Sequence, residues 1–208
     1  MSTNLTKLFR LLEITRAQPQ YGYALAEIPK NELSDLAQHH YLVTAIAWQL
    51  GRLVQCGGGN LDLLRVLEIS LMHDLGELFG GDIGMPYAKA NPAANKAAKA
   101  FEAENLKYVA SLFGEDSEHF SELSGDAMQP TSDEALVAKI ADYLEVTHYK
   151  LYVHRLSKGD ISMVGSRIEQ MISTISDAKT QKALQKFIAD WKETMSNESG
   201  SELFESSK

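Results

Sequence analysis

Ser34-Asp35-Leu36-Ala37-Gln38-His39-His40-Tyr41-Leu42-Val43-Thr44-Ala45-Ile46-Ala47-Trp48-Gln49-Leu50-Gly51-Arg52-Leu53 is the stretch that decides the fold. Leu36, Val43, Ile46, Ala47, Trp48 and Leu50 recur at helical spacing and leave almost no polar side, so the segment predicts a long central helix. Ser34 is placed to cap it, and Gly57-Gly58-Gly59 to end it. A helix that is apolar nearly all round has to be surrounded, and the flanking sequence offers helices to do so.

Upstream, Leu8, Leu11 and Leu12 predict a short first helix, followed by an irregular connection over 21–31 that contains Gly22 and Pro29. Downstream, a second buried helix is expected from Leu61 to Leu78, stopped by Gly80-Gly81. Residues 81–90, rich in Gly and Pro, read as a loop. Asn91-Pro92 is a good N-cap and first-position pair for an Ala-rich helix reaching Phe113, with Gly114 as its stop. A short helical piece over Ser117–Leu123 follows. Thr131-x-x-Glu134 then matches a capping box opening a helix to about Leu156. Amphipathic helices are expected over Ser162–Ile175 and Ala178–Met195, and the polar, Ser/Glu-rich stretch 196–208 reads as a disordered tail. Strand-like alternation is scarce and no internal repeat is found. The expectation is one all-α domain over residues 1–195, a single helical bundle.

Composition narrows the function. The chain has 208 residues, 44% hydrophobic and 23% charged, as expected of a globular domain with a real core. Its net charge is −8 with no Lys/Arg run, which argues against a nucleic-acid polymer or an anionic membrane as partner. Cys56 is the only cysteine, so there is no disulfide framework or Cys-based zinc site, and a cytoplasmic setting is expected. Neither a signal peptide at Met1–Thr15 nor a long apolar run suited to a bilayer is found.

Against that background four side chains stand out: His39, His73, Asp74 and Asp142. Two imidazoles and two carboxylates are ordinary ligands for a divalent cation, and apolar helical surroundings make unpaired copies costly. The residues alone leave alternatives open. His73-Asp74 has apolar flanks (Ile69, Leu71, Met72, Leu75), yet neighbours on a helix diverge by about 100°, and a core histidine beside a helix-end charge explains the pair as well. Glu77 is one turn on from His73. One of His39 and His40 can face inward, but hardly both. Asp142 lies off the stripe of Ile140 and Leu144, where helix geometry would expose it.

Taken together, Leu36-Ala37-Gln38-His39, Met72-His73-Asp74-Leu75-Gly76-Glu77, Gly81-Asp82-Ile83 and Lys139-Ile140-Ala141-Asp142-Tyr143-Leu144 resemble the HD-domain phosphohydrolase superfamily, named for its His-Asp pair. The nearer resemblance is to the five-prime-deoxynucleotidase branch, helical enzymes that dephosphorylate deoxyribonucleoside monophosphates. It covers about residues 21–156. The resemblance implies His39, His73, Asp74 and Asp142 as ligands of one divalent ion. Donors of this kind suit Mn²⁺, Co²⁺, Fe²⁺ or Zn²⁺ better than Mg²⁺. It also implies Glu77 and Asp82 as catalytic groups, and His39, Asp74, Asp82, Ile83, Gly84, Met85 and Asp142 around a small phosphomonoester such as a nucleotide. A homodimer is a further family-borne expectation.

The chain departs from the branch in two places. The branch has a phosphate-orienting arginine before the first ligand histidine, whereas no Arg lies between Arg16 and Arg52 here; Gln20, Tyr21 and Tyr23 occupy that stretch. Gln38 stands where glutamate is usual, and His40 where a small residue is. The alternatives are an HD-type hydrolase of another phosphomonoester or of a signalling nucleotide, and a non-catalytic helical metal-binding module. Only His119 lies between the His-Asp pair and Asp142, which favours one metal over two. His119, His148 and His154 are expected on surfaces.

Overall fold

The helix at the centre starts where a carboxylate can cap it. In a computed structural model, which describes residues 2–80 and 82–197, helix α2 spans Leu36–Cys56, and the Asp35 side chain, not that of Ser34, accepts from the Gln38 N–H at 2.8 Å. A charged acceptor at the N-terminus also favours the helix dipole. Val43, Ala47, Leu50 and Val54 are buried along α2. Trp48 is not: it is 47% exposed, beside an exposed Tyr41, so the helix is central but has one open side.

Helix α1 covers Ser2–Leu12, and the expected irregular connection contains short tight turns over Tyr21–Ala26 and Lys30–Glu32. Helix α3 runs only over Leu63–Met72, opened by Asp62 accepting from Leu64 and Arg65 N–H. The predicted helix to Leu78 breaks at His73-Asp74 and continues as a tight 3₁₀ turn, Leu75–Phe79. Residues 85–90, read as loop, form helix α4 (Met85–Ala90), because Pro86 sits in the first turn where its missing N–H costs nothing. Gly81, part of that loop and of the quoted motif, lies outside the described residues.

Helix α5 (Pro92–Ala110) is capped by Asn91 as predicted, Ala94 N–H donating at 3.1 Å. Helix α6 is longer than expected, Ser117–Met128. Helix α7 spans Asp133–Tyr152 and is capped by Ser132, not by a Thr131/Glu134 box; Glu134 instead accepts from Asp62 N–H. Helix α8 covers Lys158–Thr174, opened by a Ser157/Asp160 capping box. Helix α9 covers Ala178–Asn197, so Ser196 and Asn197 are helical and the rest of the predicted tail lies outside the described residues.

Among the described residues there is no strand, only an isolated bridge between Pro19 and Asp35. The architecture is an all-α bundle. α2 packs on α3 and α7, α7 on α8, and α8 on α9. The main core lies between α2, α7, α8 and α9, with Val43, Ile140, Leu144, Ile168, Leu184 and Ile188 almost fully buried. A smaller cluster around Leu36, Leu75, Leu106 and Phe120 seats the 75–79 turn against α5. Gly76 makes that seat possible: a Cβ there would lie 2.6 Å from Glu102 Cγ, and the Gly76 carbonyl accepts from Asn105 Nδ2 at 2.7 Å.

Candidate metal centre

The break after α3 resolves the geometry that adjacent helical residues cannot satisfy. His73 still has helical torsions (φ −56°, ψ −38°), but Asp74 turns out of the helix (φ −113°, ψ 17°). Both side chains thereby reach one point, His73 Nε2 lying 3.1 Å from Asp74 Oδ2. His39, from α2, brings its Nε2 to 3.2 Å from His73 Nε2 and 3.4 Å from Asp74 Oδ2. One ligand atom from each of His39, His73 and Asp74 lies within 4.8 Å of the other two. Asp142, on α7, approaches through His39, its Oδ1 3.4 Å from Nε2. Its side chain is 13% exposed, not solvated, because α7 packs on α2, α3 and α8 and has little of its circumference left for water.

Hydrogen bonds on the far nitrogens fix how the rings face this point. His73 Nδ1 is 2.8 Å from the Ser70 carbonyl, which can only accept, so Nδ1 carries the proton. His39 Nδ1 lies 2.7 Å from the Glu145 carboxylate, again an acceptor. In their neutral forms, both Nε2 lone pairs then point at one another and at carboxylate oxygens. Facing lone pairs at 3.2 Å repel unless a proton or a cation lies between them. Divalent metal ligation by these residues fits that arrangement.

Electrostatics agree. Burial opposes charge on His39, but Asp142, Asp74 and Glu145 outweigh it and hold its pKa well above the imidazole norm. Burial likewise opposes charge on Asp74 and Asp142; His73 and His39 hold Asp74 far below the carboxylate range, and Lys139 chiefly does so for Asp142. Lys139 Nζ bonds Asp142 Oδ2 at 2.6 Å.

His40 is a correction: it is buried as well as His39, at 7% and 2% exposure. The two occupy different compartments. His39 faces α7, whereas His40 lines an apolar groove with Leu12, Trp48 and Leu71, its ring 5.0 Å from that of His73. Burial and the neighbouring His73 push His40 down to about 3, so it is neutral. His119 pairs with Glu68 at the surface and His148 accepts from Trp191 Nε1, so neither joins the centre.

The centre opens on a cleft of about 1010 Å³. His73, Asp74, Glu77, Asp82, Ile83 and Met85 line it; Gly84 is instead buried at the start of α4. Burial, then the charges of Asp74, Asp82 and Glu102, drive Glu77 well above its ordinary range. Burial raises Asp82 as well, against the pull of a 2.5 Å bond from Gly22 N–H. A Cβ at position 22 would sit 3.2 Å from Asp82 Oδ2, so the carboxylate would have to yield by a few tenths of an ångström. Where the resembled branch has its arginine, Tyr21 is half exposed, Gln20 is buried and Tyr23 turns inward to bond Glu145 at 3.0 Å. The cations that line the cleft are Lys89, Lys99, Lys139 and Arg167. Sequence reasoning assigned no role to Lys139, Glu145 or Tyr23; the short spacing of Lys139 and Glu145 around Asp142 was the available signal.

An all-α bundle whose helices bring His, His-Asp and Asp side chains together defines the class to which such a centre belongs. The family comparison agrees: residues 23–198 match the HD domain family, and the chain belongs to it. That membership and the His/Asp cluster point to a metal-dependent hydrolase of the phosphohydrolase kind. Among solved structures, a conserved hypothetical protein from Pyrococcus furiosus is similar, at 22% identity and a TM-score of 0.68 over 89% of this chain and 97% of that one. A protein from Pyrococcus horikoshii OT3 is similar at 18% identity and a TM-score of 0.66, over 90% and 98%. Both likenesses speak to the fold alone. No curated protein matches the chain. No helix among the described residues is long and apolar enough to cross a membrane.

Proposed function

We infer that the protein is a metal-dependent phosphomonoesterase whose favoured substrates are (deoxy)ribonucleoside 5′-monophosphates. The observation that carries this reading is the convergence of two imidazole Nε2 atoms with Asp74 and Asp142, of which His73 and Asp74 stand on a cleft wall that also holds two carboxyls of raised pKa. His39, His73, Asp74 and Asp142 would hold one divalent ion. Mn²⁺, Co²⁺, Fe²⁺ or Zn²⁺ suits the two nitrogens better than Mg²⁺. Such an ion supplies Lewis-acid neutralisation of phosphoryl charge and a water of lowered pKa.

The chain's own groups divide the remaining work. Glu77, beside Asp74, orients the attacking water and takes its proton; Asp82, pinned by Gly22, gives a proton to the leaving ester oxygen. Ile83 and Met85 offer an apolar wall to the nucleoside, with Gly84 setting the turn between them. Lys139 stands at the same wall, one-third exposed, as a cation close to the phosphoryl position. A cytoplasmic setting and a homodimer complete the reading.

A second reading is favoured by one observation. Lys89, Lys99 and Arg167 line the same cleft, and the cleft is at the large end for a ligand pocket, which suits a more highly phosphorylated signalling nucleotide. A panel of phosphorylated compounds assayed with added Mn²⁺ or Co²⁺, together with elemental analysis, separates the two. Inorganic phosphate from mononucleotides supports the first reading and pyrophosphate release the second. Metal uptake with no hydrolysis of any compound overturns both.

A further inference from the structure

Glu145 is the least expected charge in the molecule. It sits on α7, one turn beyond Asp142, with its side chain 3% exposed. Its sole ion-pair partner among the described residues is His39, so no lysine or arginine compensates it. A buried carboxylate with no permanently charged partner is costly unless its oxygens are hydrogen-bonded. Here one oxygen, Oε2, accepts from His39 Nδ1 at 2.7 Å and from Tyr23 OH at 3.0 Å. Tyr23, only 6% exposed, is itself clamped: its ring lies 4.7 Å from that of Tyr149, whose hydroxyl donates to the Glu32 carbonyl.

We propose that Glu145, backed by Tyr23, is the positioning residue that makes His39 a metal ligand. It holds the proton on His39 Nδ1, so that the Nε2 lone pair faces His73, Asp74 and Asp142. A carboxylate behind a ligating imidazole fixes ring and tautomer and raises the basicity of the nitrogen that binds. His73 has only a neutral backbone acceptor, the Ser70 carbonyl, so the two histidines are unequal and His39 is the stronger donor. The arrangement also joins the two halves of the site. Gly22 N–H holds Asp82 while the next residue, Tyr23, holds Glu145, so one turn ties the cleft acid and the metal ligand to a common backbone.

This inference rests on the metal reading above, and its test does not use phosphatase activity. Glu145→Gln keeps shape and one acceptor but removes the charge; Glu145→Ala removes both; Tyr23→Phe removes only the clamp. Affinity for Co²⁺ is titrated by its visible absorption, and the imidazole tautomers of the metal-free proteins are read from ring nitrogen chemical shifts at a pH high enough to leave His39 neutral. Glu145→Ala is expected to weaken Co²⁺ binding about 10–100-fold, with a mixed His39 tautomer. Glu145→Gln should fold as the parent does and lose less, and Tyr23→Phe least. A purely structural Glu145 would leave the Gln variant with the parent's affinity, and that result, with an unchanged tautomer, overturns the proposal. If Glu145→Ala does not fold, Glu145→Gln decides. A parent that takes up no divalent ion sinks the metal centre and this role with it, whereas equal uptake by parent and variants sinks this role alone.

Discussion

Helices α2 and α7 serve two regions built on opposite principles. On one side, Val43, Ala47, Ile140 and Leu144 join α8 and α9 in an apolar core that lacks any need of a partner from solution. On the other, His39, Asp142 and Glu145 leave the same helices to meet His73 and Asp74, where every group depends on a proton or an ion held by its neighbours. The core gains free energy from burial whatever the medium holds. The polar nest is balanced only by what it binds, so damage to the first should read out as stability and damage to the second as chemistry.

The largest expected effect lies in the nest. Glu77→Ala should lower phosphate release by about 10²–10⁴-fold, the range for a lost proton-transfer group, while metal content and unfolding midpoint stay at parental values. A variant that lost stability to the same degree would break the contrast. Its mirror image is Leu184→Ala, at a fully buried core position. That cavity should cost about 2–5 kcal/mol in urea unfolding, with Co²⁺ affinity of the folded protein unchanged.

Metal loading comes next. A divalent ion at about 100 times its Kd should add roughly 2.7 kcal/mol to unfolding, and a chelator should remove it. The same increment is expected in Leu184→Ala if core and nest are energetically independent; a changed increment would show coupling through α2 and α7. The smallest effect belongs to neither region. Asp126 accepts from Arg65 at 2.9 Å and Ser132 Oγ at 2.8 Å. Burial would raise its pKa, but those two partners hold it below the usual value. Its stabilisation is therefore present above the unfolded carboxylate pKa near about 3.9 and lost as pH falls through the lower folded value. Asp126→Asn should cost about 1 kcal/mol at neutral pH, and the gap from the parent should close in acid.

The helical period made the bundle legible, since Leu, Ile and Val at spacings of three and four mark α2, α7, α8 and α9. What it could not show was the break at His73-Asp74. Leu71, Met72 and Leu75 carry the apolar pattern straight through, and no Gly or Pro precedes the turn. Pro86 concealed α4 because a proline in a first turn looks the same as one in a loop. The candidate ligands were singled out by their kinship to a family pattern, not by periodicity, which places Asp142 in water. Glu145 escaped both, because its role depends on Tyr23, more than a hundred residues away in the chain. Its spacing of three from Asp142 is the one local trace, and the pairing itself leaves none.

Helix α3 stops at the candidate metal seat, and this has an electrical side. Its ten residues end with His73 as the C-terminal flank, so the carbonyl end of the helix lies beside the candidate ligand cluster. The end of a helix carries about half a negative charge. An arriving cation would thus meet backbone as well as side chains, and α3 would act as a fixed electrode built into the scaffold.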